Sequence, residues 1–139
     1  MLPNQVTRRL GLLMLIRQNH NAPTDQDWDE TLRLMTLNPA EMVKLKVLVV
    51  TDGGGPTPEQ RKRLDRTMGG KPVLTAVVSD SMKVRFIVSS VALLSAKIQS
   101  FRKSEIEQAF KFLGLDARER RVALDNIAEL DTLVAPPQK

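Results

Sequence analysis

Asp52 is followed by Gly53, Gly54 and Gly55, which sets a carboxylate beside backbone N–H groups that no side chain screens. Val47-Leu48-Val49-Val50-Thr51 before it reads as a buried strand, and Pro56-Thr57-Pro58-Glu59-Gln60 after it as a helix start. In α/β folds, ligands collect outside the carboxyl ends of the strands. Glycine N–H groups beside a helix N-terminus suit an anion or a developing oxyanion, with Asp52 placed as a base. No hydroxyl or thiol stands between Asp52 and Pro56, so a nucleophile is missing. A phosphate-binding loop would need Lys-Ser or Lys-Thr after its last glycine, and the dinucleotide fingerprint needs a different glycine spacing. The simpler and preferred reading is a tight turn whose glycines allow positive φ and close backbone approach.

Ser79-Asp80-Ser81 stands in the same position after a later apolar run. Two hydroxyls flanking an acid fit a phosphoacceptor or polar contact surface, but a helix N-cap explains them more simply. His20, the one histidine, lies between Asn19 and Asn21 with no nucleophile elbow in the chain, which favours a loop residue without catalytic duty. Asp25, Asp27, Asp29 and Glu30 complete no calcium-loop pattern, and a first helical turn accounts for them. No metal or cofactor is implied. An active phospho-receiver would want an acid pair after the first strand, where this chain has Asn19 and His20.

The elements that must position these residues are well signalled. Leu10 to Ile16, Leu45 to Val50 and Val73 to Val78 read as strands buried on both faces, and Ile98 to Phe101 as a shorter edge strand. Helices are expected to open at Thr24, at Thr57 (a capping box with Gln60), near Ser81, at Ser104 and at Asp116. Pro39 closes the first and Gly114 the fourth. The alternation predicts an α/β fold: a mainly parallel four-stranded sheet, helices on both faces and an extra C-terminal helix. One domain spans 1–134, and 135–139 reads as a disordered tail. The strand ends then form one rim of Asn19 and His20, Thr51 to Gly55, Ser79 to Ser81, and Ser100 to Arg102.

At 139 residues and 42% hydrophobic, the chain can bury a core. Cysteine is absent, which removes disulfides, thiolate catalysis and cysteine metal sites. No apolar run is long enough to span a bilayer and the start lacks a secretory layout, so a cytoplasmic home is expected. The net charge of +5 raises nucleic-acid binding, but one Trp, four Phe and no Tyr give few bases to stack on. Solvated helix faces account for the charge better.

The order of strand, turn and helix from Leu45 to Leu64, the Ala22-Pro23-Thr24 entry into an acidic helix bearing Trp28, and Asp52-Gly53-Gly54-Gly55 together resemble the STAS superfamily of sulfate transporters and anti-sigma-factor antagonists. The likeness runs from about Leu10 to Leu113 and is nearest the divergent STAS/SEC14-like branch of small bacterial proteins. In antagonist members a serine in an Asp-Ser-Ser/Thr-Gly turn is phosphorylated by a partner kinase. Aligned on that turn, Asp52 matches the acid, Gly55 the last glycine, and Gly53 stands where the regulatory serine would be.

The resemblance implies a non-catalytic regulatory module that binds a protein partner through Asp52, Gly53, Gly54, Gly55, Thr57, Arg61, Ser79, Asp80 and Ser81. Gln60, Arg61, Arg63 and Arg66 make a basic ledge beside the turn for an acidic partner. A homodimer stays open. The alternative is a small-ligand or lipid-binding module, whose pocket would be lined by Val84, Ile87, Val88 and Val91.

Overall fold

The computed structural model describes residues 2–136. The apolar run Leu10 to Ile16 does not form one strand. Gly11 takes φ +64° and folds the chain back on itself, giving β1 (Gln5–Leu10) antiparallel to β2 (Leu13–Gln18), with Leu10 opposite Leu13 and Gln5 opposite Gln18. A glycine with positive φ opening a two-residue loop matches the right-handed twist of a hairpin.

After the hairpin come α1 (Asp25–Met35), α2 (Pro39–Met42), β3 (Lys46–Thr51), α3 (Pro58–Met68), β4 (Leu74–Val78), α4 (Met82–Ala92), β5 (Ile98–Phe101), α5 (Ile106–Leu113) and α6 (Ala117–Leu130). The sheet therefore has five strands rather than the expected four, because β1 adds an antiparallel edge. β2 to β5 are parallel, and the strands lie in chain order.

That order decides which helices cover each of the two faces. Each parallel strand is added on the same side of the last, so crossovers of one hand place α1, α3 and α4 on a single face. Met35 and Met68 pack there against Met14, Ile16 and Val47, while Val84 and Val88 pack against Val77. The opposite face is covered by α5 and α6. Ala109, Phe110, Leu113, Ala123 and Leu130 meet Leu13, Leu15, Leu48, Val50, Ala76 and Val78. Strand residues alternate between these two cores, as the pleat requires.

Most helix starts follow the sequence. Thr24, Thr57, Ser81 and Asp116 cap α1, α3, α4 and α6. Ser104 does not cap α5: Lys103–Glu105 forms a 3-10 turn, and Glu105 Oε1 accepts the Arg102 N–H at 2.8 Å. Pro39 does more than close the first helix, since it opens α2 behind an Asn38 cap. Of the expected tail, Ala135 donates its N–H to Pro3 O at 2.8 Å and accepts from Asn19 Nδ2 at 3.1 Å. Residues 137–139 of that tail lie outside the described residues.

Candidate functional site

The strand order never reverses, so no crevice opens between diverging loops at the carboxyl rim. Polar groups there are instead stitched to one another. Arg17, near the end of β2, shares a face with Leu13 and Leu15 and reaches toward the end of α6. Its Nη2 donates to Asp52 Oδ2 at 3.0 Å and Oδ1 at 3.1 Å, and its Nε to Asp131 Oδ1 at 2.5 Å. Its Nη1 donates to the Gln18 carbonyl. Lys103 Nζ approaches Asp52 Oδ1 at 3.1 Å from beyond β5.

One carboxylate thus ties β2, β3 and the segment after β5, and Arg17 adds α6. Burial pushes the Asp52 carboxyl upward, but the hydrogen bonds and charges of Arg17 and Lys103 outweigh it and hold the group below its ordinary range. Burial likewise pulls Arg17 down, and Asp131 and Asp52 more than restore it. A carboxylate held this way is a poor base, because its proton affinity is spent on two cations.

The glycine turn is equally occupied. Asp52 N–H donates to Gln18 O at 3.0 Å, Gly53 N–H to Thr51 Oγ1 at 3.1 Å, and Gly54 N–H to Asn19 O at 3.0 Å. Thr51 Oγ1 in turn donates to Gly54 O at 2.8 Å. The N–H groups of Asp52, Gly53 and Gly54 are therefore not free for an anion. Gly53 takes φ +143°, and a Cβ on Gly54 would stand 2.1 Å from Asn21 O and 2.7 Å from Asn19 O. A Cβ on Gly55 would meet nothing within 4 Å.

The two segments singled out by sequence come together. A Cβ on Gly53 would lie 3.9 Å from Ser81 Oγ. Ser81 Oγ caps α4 by accepting from Val84 N at 3.3 Å. Ser79 is fully buried, its Oγ accepting the Ser81 N–H at 3.1 Å and its own N–H donating to Phe101 O. Asp80 Oδ1 accepts the Lys103 N–H at 3.0 Å.

Thr57 and Gln60 form the expected reciprocal cap. Gln60 is also buried, with Nε2 donating to Pro23 O at 2.9 Å, while its carbonyl accepts Trp28 Nε1 at 2.9 Å. On the basic ledge, Arg63 is paired with Asp29 at 2.5 Å, whereas Arg61 and Arg66 are exposed. His20 is exposed. Asp27 completes the α1 capping box, and Glu30 pairs with Arg33 at 2.6 Å. Among the described residues no three His, Asp or Glu side chains gather as a cation site.

Asn19 and Thr51 were placed on the rim by sequence, but Arg17 and Lys103 were not marked. Only Arg17 carries a signal, as a cation closing an otherwise apolar run. The four valine-type positions proposed as a pocket diverge: Val84 and Val88 are core, and Ile87 and Val91 lie partly exposed. A separate hollow of about 240 Å³ lies at the amino end of the strands, lined in part by Pro39, Met42, Val43, Met68 and Val73. It is smaller than the roughly 300–1,000 Å³ of ordinary ligand sites.

On its outer side α4 leaves Met82 78% and Phe86 74% exposed, one helical turn apart and directly after Ser81. Among the described residues no helix is long and apolar enough to cross a membrane. No family model, curated protein or solved structure matches the chain.

Proposed function

We propose that this chain is a non-catalytic protein-interaction module of the STAS type, lacking the phosphorylatable serine of antagonist members. The observation that carries the reading is the state of the Asp52 turn. Its carboxylate and its first three N–H groups are all engaged inside the fold, so the turn offers shape rather than reactivity. Ser81 adjoins it, and Met82 and Phe86 continue the surface with exposed apolar area. Preformed rims with apolar neighbours suit contact, since little ordering entropy is spent on binding. Arg61 supplies a solvent-facing cation beside Thr57 for steering an acidic partner.

Quantitative affinity purification with the wild type, Arg61→Glu and Met82→Asp tests this. A partner retained by the wild type and depleted by both variants, each folded by circular dichroism, supports the module. An unchanged partner set overturns it.

A further inference from the structure

The sheet ends at β5, whose outer edge is unpaired among the described residues. Lys97 O and Phe101 O accept from Thr75 of β4 and from Ser79 just after it, so the intervening alternation turns the backbone N–H and C=O of Ile98 and Ser100 outward. Beside that edge runs a groove of about 280 Å³, lined by Met82, Arg85, Phe86 and Ser89 of α4, by Ser100 and Phe101 of β5, and by the acid Glu105. Arg85, one of the lining residues, has its Nε shielded from solvent without a hydrogen-bond partner. A shielded donor without an acceptor is costly, and a carboxylate is the acceptor a guanidinium fits best.

The charge around the groove points the same way. α4 carries Lys83 and Arg85 and no acid, and Lys97 and Arg102 flank β5, against Asp80 and Glu105, while Lys103 is held by Asp52. A second copy of this chain paired edge to edge would bring these cations face to face, whereas an acidic segment would neutralise them. Unpaired strand edges bind extended chains by main-chain hydrogen bonds, with alternate side chains conferring specificity.

We propose that the groove between α4 and β5 takes an extended acidic peptide segment of a partner protein, added as a sixth strand. Its backbone bonds Ser100 and Ile98, one apolar side chain lies on Met82 and Phe86, and a neighbouring carboxylate meets Arg85. This rests on the reading of the chain as an interaction module but uses the sheet edge rather than the rim.

Panning a random octapeptide phage library on the full chain tests it, followed by titration of the selected synthetic peptides. The expected result is an Asp or Glu beside apolar residues, with amide shifts at Ile98, Ser100 and Phe86 in NMR spectra. Arg85→Gln should weaken binding about tenfold, the loss of one charged contact, and Arg118→Glu, on the exposed side of α6, should leave it unchanged. Failure of the rim reading, seen as an unaltered partner set with Arg61→Glu, leaves these shifts untouched. The proposal is overturned if no acidic peptide is selected, if selected peptides shift residues elsewhere, or if sedimentation shows a dimer that Phe86→Asp dissociates.

Discussion

The Arg17 guanidinium grips the Asp52 carboxylate at 3.0 and 3.1 Å while its Nε holds Asp131 at 2.5 Å, so one cation joins the second strand, the third strand and the end of the last helix. The Arg17 side chain is only 10% exposed and the Asp52 side chain 26%. The residue that most resembled a catalytic acid in the sequence is therefore a tie between elements distant in the chain.

Removing the cation should cost more than removing either acid. Arg17→Ala leaves Asp131 without its cation and Asp52 with Lys103 alone and is expected to lose about 3 kcal/mol, and Asp131→Asn, half exposed, about 1 kcal/mol or less. Urea unfolding followed by circular dichroism measures both. Equal losses would show that Arg17 does not bridge the two.

The pH dependence follows from Asp52. Its carboxyl is held below the ordinary value of 3.8 in the folded chain, so the unfolded chain binds the proton more readily. The stabilisation is fully present above that ordinary value and is lost as pH falls through the lower folded value. Unfolding free energies from pH 6 to 2.5 should decline below about pH 4, and Asp52→Asn should flatten that decline. Parallel curves for the two proteins would remove Asp52 from the acid response.

Gly54 and Gly55 should differ sharply. Gly54→Ala drives a Cβ into two backbone carbonyls and should cost about 3 kcal/mol or more, while Gly55→Ala, with open space around it, should stay within roughly 0.5 kcal/mol. Thermal melts of the two variants decide it. A tolerated Gly54→Ala would mean that the turn does not need its close approach to Asn19 and Asn21.

Local signals in the chain were legible because they act over a few residues. The caps at Thr24, Thr57, Ser81 and Asp116 each bond within their own first turn, and the valine-rich strands around Leu48 and Val77 need only burial to be recognised. The apolar run at Leu10 misled because apolar residues continue from the last residue of β1 through the loop into β2, while the rest of β1 is largely polar, and the turn is marked by Gly11 alone. Ser104 misled because Glu105 served the Arg102 N–H instead.

Sequence alone determined that this is an alternating α/β chain with a glycine turn after a central strand and a rim of polar strand ends. Only the tertiary structure decided what that rim does with its charges. Arg17 and Asp131 are 114 residues apart and Lys103 lies 51 beyond Asp52, so no local pattern pairs them. They meet because each parallel strand is added on the same side of the last, which sends α5 and α6 back across the open face of the sheet. The same topology sets Asp52 between Arg17 and Lys103, fills the donors of its turn and leaves β5 as an edge strand beside α4. Ion pairs and free edges are properties of that arrangement, not of any stretch of residues within it.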